Sequence, residues 1–167
     1  MSIRSRLAVS AALVLAAFGT QAQTAGAVRA EKNISLELAN QIASATVAAC
    51  AASGYAVAAT VVDRAGVVRA VQRADNAGPH TIAASERKAF TSASAKAPTK
   101  VMLENSQKNP GAATLGDIPG FLLLGGGLPI KAGNDVIGAV GVGGAPGGHL
   151  DEQCAQTALD KFKADLG

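Results

Sequence analysis

The chain holds only two histidines, and imidazole is the side chain best suited to bind a metal or move a proton near neutral pH. The first, His80, lies in "RADNAGPHTIAASERKAF" (73–90), directly after an Asn-Ala-Gly-Pro turn. Pro79 suits the first position of a helix, which predicts Gly78 as the N-cap and places His80 and Thr81 in the first turn. The positive end of a helix dipole disfavours imidazolium, and neutral imidazole is the form that ligates metals. First-turn N–H groups can also hold an anion such as a propionate, and Arg73, just upstream, can pair with the same anion. His149 occupies a matching place in "GVGGAPGGHLDE" (141–152), ahead of the last predicted helix. For each histidine the competing reading is an ordinary exposed turn residue.

Other chemistries fit less well. The glycine-rich run 141–148 has the strand-to-helix context of a dinucleotide fingerprint, but Pro146 stands where the third glycine is required. No Gly-x-Ser-x-Gly nucleophile elbow occurs. Asp151 and Glu152 are adjacent and so do not face each other on a helix; they read as acids complementing a helix start. "SERK" (85–88) reads as a solvated helix face. A haem can be considered by elimination, since its axial ligands are His, Met, Cys or Tyr. Those available are His80, His149, Met102, Tyr55 and two cysteines. Without Cys-x-x-Cys-His, covalent attachment is excluded. His80 leads as the iron ligand, with Met102 or His149 behind it. No residue set argues for fast catalysis; any activity is expected to be haem-dependent degradation or peroxidase-like.

The elements that position these residues follow from periodicity. Leu38, Ile42, Ala45 and Ala49 recur at helical spacing and predict a helix over 35–53, with Ser35 capping its start and Gly54 its end. The apolar run 55–63 and the segment 67–74, separated by Arg-Ala-Gly, predict a β-hairpin that places Arg69 and Arg73 on one face. A helix is expected over 79–96, a shorter one over 99–105, then a polar loop. Strands are predicted at 121–124, 128–132 and 135–144, and a last helix at about 150–165. Hairpins with helices laid on them define an α+β fold with a five-stranded, mainly antiparallel sheet.

Residues 1–22 read as a secretory signal: Arg4 and Arg6 precede the apolar run Leu7–Phe18, and Thr20-Gln21-Ala22 offers a cleavage site. This predicts a periplasmic or secreted protein with a flexible segment at 23–32 and one domain at 33–167. The apolar run is too short to span a bilayer, and no stable membrane anchor is expected. Removing the signal takes away two arginines and leaves basic and acidic side chains nearly balanced, so the whole-chain pI of about 9.1 does not indicate a nucleic-acid partner. An exported context permits a disulfide. Cys50 and Cys154 would form one if the first and last helices lie side by side; two free buried thiols are the alternative.

Taken in order, "VVDRAGVVRAVQRADNAGPHT", "ERKAFTSAS", "GGGLPI", "VIGAVGVGG" and "LDEQCAQTAL" resemble the GlcG/HbpS (DUF336) family across residues 33–165. The resemblance implies a profilin- or PAS-like sandwich, assembly as a homo-oligomer (tetramer or octamer), and haem as the cofactor. The implied role is haem sequestration, transfer or slow degradation. It also offers Thr81 as an iron ligand in place of His80, since family members differ in the ligand they use. A binding or sensing subunit for a corrinoid, flavin or organic acid is the alternative function.

Overall fold

Ser35 starts the first helix as its position predicts: its hydroxyl accepts a hydrogen bond from the Leu38 N–H at 3.2 Å. That helix, α1 (Leu36–Ala52), ends at Ser53 and is followed by Gly54 at a φ of +80°. The structure is a computed structural model describing residues 28–167, so the predicted signal segment 1–22 lies outside the described residues. Residues from Glu31 to Gly167 form one unit. Within it, β1 (Ala58–Asp63) and β2 (Val68–Arg73) form the expected hairpin. Asp63 closes its turn, its Oδ1 accepting from the Ala65 and Val67 N–H groups at 2.9 and 3.1 Å. Then come α2 (Thr81–Ala95), α3 (Thr99–Lys108), β3 (Gly127–Ala132), β4 (Asp135–Gly143), α4 (Gly148–Lys161) and the short α5 (Lys163–Leu166).

The sheet has four strands, not five, in the antiparallel order β2-β1-β4-β3. Residues 121–124 are loop because their backbone groups bond to side chains and to nearby loop carbonyls rather than to a neighbouring strand. The Leu122 N–H donates to Thr91 Oγ1 at 2.8 Å, the Leu124 carbonyl accepts from Thr99 Oγ1 at 2.7 Å, and the Phe121 carbonyl accepts from Arg87. An apolar tetrapeptide cannot show this in advance, since the partners lie on α2 and α3.

Helices cover both faces of the central strands. On one face Val57, Val61, Val140 and Val142 pack with Ile42, Ala43 and Cys50 of α1 and with Cys154, Ala155 and Leu159 of α4. On the other, Val62 and Ala139 meet Ala89 and Ala93 of α2. Residues two apart on a strand share a face, which explains why β1 reads as a continuous apolar run: both its faces are buried. Gly141 sets the distance between α2 and the sheet. A Cβ at that position would lie 2.0 Å from the Ser85 carbonyl oxygen and 2.5 Å from the Ala89 nitrogen. Among the β4 glycines, Gly141 and Gly143 admit the α2 backbone, while Gly138 admits the Val62 carbonyl of β1. Next to them Thr60 and Ser85 join their hydroxyls at 2.7 Å.

Cys50 and Cys154 form the disulfide, with Cα atoms 5.2 Å apart, and tie α1 to α4 across 104 residues of sequence. Closing so long a loop limits the unfolded chain by roughly 4–5 kcal/mol in the chain-entropy account. Replacing both cysteines by alanine should lower stability by several kcal/mol in urea denaturation; an unchanged midpoint would contradict the role assigned to the bridge. Gly141→Ala should cost at least about 2 kcal/mol, because a backbone carbonyl cannot move aside as a side chain can.

Candidate functional site

The start of α2 presents His80 to solvent. The helix begins two residues later than the Pro79 signal predicts: Pro79 and His80 form a turn, and His80 itself occupies the N-cap position. The Thr81 N–H donates to the Gly78 carbonyl at 3.1 Å, and the Ala84 N–H to the His80 carbonyl at 3.0 Å. The imidazole folds back over Gly78, whose Cα hydrogens leave room for the ring; a Cβ there would lie 2.8 Å from Cε1. No side chain caps α2; with the Thr81 N–H taken by Gly78, the anion-binding character of a helix start rests on the N–H groups that follow it in the first turn.

The neighbours proposed for His80 are differently placed. Thr81 is buried, at 1% exposure, and its hydroxyl donates to the Gly78 carbonyl at 2.7 Å. It serves the turn rather than offering its oxygen outward. Arg73 is exposed, and its guanidinium donates to the Ala77 carbonyl, holding it against the loop that delivers His80. Opposite residues in the β1–β2 pair place Arg73 beside Ala58 and Val71 beside Thr60. Because Thr60 touches Ser85 of α2, Arg73 and Val71 lie on the α2 side of the sheet. Exposed Ile82 stands in the first turn of α2 itself.

His149 stands in the first turn of α4, again with its ring over a preceding glycine, Gly147. The loop before α4 reaches the start of α2, since a Cβ on Gly144 would lie 3.2 Å from Thr81 Cγ2. Yet His149 faces a separate groove that His80 does not line. Among the described residues, no group of three His, Cys, Asp or Glu side chains is arranged to hold a metal ion. Met102 is buried, and Tyr55 lines a cavity beside Cys154.

Glu86 and Arg87 of "SERK" are exposed as expected, but Ser85 and Lys88 are not. Both are buried, and Lys88 donates to Asp151 Oδ2 at 2.7 Å and to the Val142 carbonyl at 2.8 Å. Asp151 Oδ1 accepts from the Ala145 N–H at 3.0 Å. Burial pushes the Asp151 carboxyl above its usual range, while the hydrogen bond and charge of Lys88 and the Ala145 N–H draw it partly back. Asp151 is therefore not an exposed acid at a helix start; it pins the glycine-rich loop to the interior. The signal available in the sequence was the stripe Thr81, Ser85, Lys88 and Ser92, spaced as one helix face and otherwise made of small residues. Gly126 completes this centre. It adopts a φ of +120°, and a Cβ there would lie 2.8 Å from Asp151 Cβ and 2.9 Å from Lys88 Nζ. Glu152 turns toward the start of α3. Burial raises its pKa most, the Lys100 charge and backbone N–H lower it, Glu104 raises it, and Lys88 lowers it.

These features define an antiparallel α+β sandwich whose α2 and α4 both begin at glycine-histidine turns beside the sheet. The chain belongs to the HbpS-like family: the family model described as "Haem degrading protein HbpS-like" matches residues 34–160. A Citrobacter freundii protein of 15.0 kDa, described as uncharacterized and from the dhaT-dhaS intergenic region, is 34% identical over 133 residues, covering 77% of this chain and 92% of its own. The crystal structure of a double mutant of Streptomyces reticuli HbpS is similar at a TM-score of 0.77 and 34% identity, covering 95% of this chain and 99% of that one. A PduOC–heme complex shares the fold at a TM-score of 0.70 and 22% identity, covering 78% of this chain and 96% of that one.

Breaking the buried pair from one side should be costly. Lys88→Met leaves Asp151 without its counter-charge, and a loss of about 3–5 kcal/mol is expected in denaturant unfolding. Replacing both partners with apolar residues of similar size should cost less; equal losses would mean the charges are not coupled. For Glu152 the folded pKa lies above its ordinary 4.5. Its favourable contribution is thus complete below that value and is lost as pH rises through the folded pKa. The stability of Glu152→Gln relative to the parent should therefore increase between pH 4 and pH 7, as read from unfolding midpoints.

Proposed function

We propose that this protein binds haem at the start of α2, with His80 as the iron ligand. The observation that carries the reading is the exposed imidazole at an uncapped helix start, in a chain of the HbpS-like family. The surrounding residues fit such a group. Val71 and Ile82 offer partly exposed apolar surface on the same side of the sheet that could cover a porphyrin face. Arg73 and the first-turn N–H groups suit its propionates. Buried Thr81, with its hydroxyl committed to Gly78, is the weaker ligand, and His149 faces elsewhere. Bound haem would supply iron redox chemistry. His80, Arg73, Val71 and Ile82 would hold and orient it, which suits holding and handing on haem or degrading it slowly. The PduOC–heme neighbour supports the choice of cofactor on this fold.

The same reading places the protein in the periplasm or outside the cell, because the signal-like start of the chain and a disulfide both suit an oxidising compartment. It also includes a homo-oligomer. β2 is an edge strand carrying exposed Val68 and Val71, surface that a second copy would cover.

Titration with hemin, followed in the Soret band, tests the site. The parent should give a saturable, stoichiometric shift that His80→Ala weakens by at least about tenfold, equivalent to ~1.4 kcal/mol, while His149→Ala leaves it intact. A shift that survives both changes would move the ligand to Thr81 or Met102. No saturable shift in the parent would reject haem and favour a corrinoid, flavin or organic acid.

A further inference from the structure

β2 carries an irregularity that decides what its open face presents. Ala70 pairs with Val61 and Val71 with Thr60, but it is Val68 that pairs with Val62. Arg69 is left without a partner on β1, the extra residue of a β-bulge. Side chains alternate along a regular strand, so Val68 and Val71, three residues apart, would otherwise stand on opposite faces. The bulge brings both to one face. Val62 packs with Ala89 and Ala93 of α2, and Thr60 touches Ser85, so that face is the α2 side. Val68, Val71 and Arg73 stand there opposite Val62, Thr60 and Ala58, at steps of roughly 7 Å for two strand residues. The row is open: Val68 and Val71 are 40% and 42% exposed, and Ile82 of α2 is 40% exposed. A second copy joined at the β2 edge would bond to backbone groups in the plane of the sheet, at right angles to this row.

The row is graded from charged to apolar. Its Arg73 end lies by the start of α2, because Ala58 pairs with Gly143, and a Cβ on Gly143 would lie 3.2 Å from the Thr81 carbonyl oxygen. That end joins the Arg73 guanidinium to the first-turn N–H groups, both suited to carboxylates. The other end is valine. Exposed Glu86 follows Ile82 by four residues on the same side of α2, and its charge opposes a carboxylate beyond the first turn. Arg69 is the other cation on β2, but it lacks the helix start that supports Arg73. Haem has the same grading, with both propionates on one edge and the vinyl groups on the other. We propose that haem takes one orientation here, its propionates at Arg73 and its vinyl edge over Val71 and Val68, and that Val68 thereby determines which porphyrins are accepted. The inference rests on the haem reading and adds the residue that sets its selectivity.

Metal-free porphyrins, followed by fluorescence with the full protein, test the orientation apart from iron ligation. Protoporphyrin IX carries carboxylates on one edge, coproporphyrin III on both. The parent should bind protoporphyrin at least about tenfold more tightly, equivalent to ~1.4 kcal/mol. Val68→Lys, at an exposed position, should erase that preference by weakening protoporphyrin and tightening coproporphyrin. Val68→Thr should weaken protoporphyrin to a smaller degree, which keeps the test decisive if the lysine variant folds poorly. Arg73→Gln should weaken protoporphyrin, and Arg69→Gln should leave it unchanged. Equal affinities in the parent, a preference unmoved by both Val68 changes, a greater loss from Arg69→Gln than from Arg73→Gln, or protoporphyrin failing where hemin binds would each overturn the orientation and leave the haem reading standing. If neither hemin nor protoporphyrin saturates the parent, the haem reading and this inference fall together.

Discussion

The buried pair of Lys88 and Asp151 is the interaction on which the arrangement depends. An ammonium and a carboxylate removed from water hold their charge only when each is met by partners in fixed places. Lys88 finds Asp151 and the Val142 carbonyl, while Asp151 finds Lys88 and the Ala145 N–H. These contacts join α2, the end of β4, the glycine-rich loop and α4 at one point. They also dictate composition nearby. Gly126 must lack a side chain because the pair fills the space a Cβ would take, and Gly141 must lack one because α2 lies directly on the sheet.

That centre orients both histidines without touching either. Pinning Ala145 and Asp151 sets where α4 begins, and hence where His149 and Glu152 point. Seating α2 on β4 sets where its first turn emerges, and hence the exposure of His80. The two helix starts are consequently rigid supports for exposed imidazoles, built from buried polar contacts beneath them. The disulfide from Cys50 to Cys154 ties α4 in turn to α1. Function at the His80 site would then rest on residues far more buried than those that meet a ligand.

Much of the fold was legible because its signals are local. Ser35 caps α1, Asp63 and Gly66 turn the first hairpin, and the valine runs of β1 and β4 read as buried strands. What escaped was settled by distant partners. Residues 121–124 have strand-like composition, yet Thr91 and Thr99 take their hydrogen bonds. Lys88 reads as a surface charge until α4 brings Asp151 to it. Thr81 reads as a ligand beside His80 until its hydroxyl is seen bonded to Gly78 and its side chain enclosed.

The amino-acid sequence alone determined the helices, the hairpins, the family and the pairing chemistry open to two cysteines, because propensity, capping and periodicity act between residues a few positions apart. It also singled out His80, whose turn is written in Asn-Ala-Gly-Pro. Only the tertiary structure decided which charges are buried, which glycines admit a backbone, and that Glu152 meets the start of α3. Those properties belong to pairs of surfaces brought together from opposite ends of the chain, and burial and electrostatic environment do not exist until the surfaces meet.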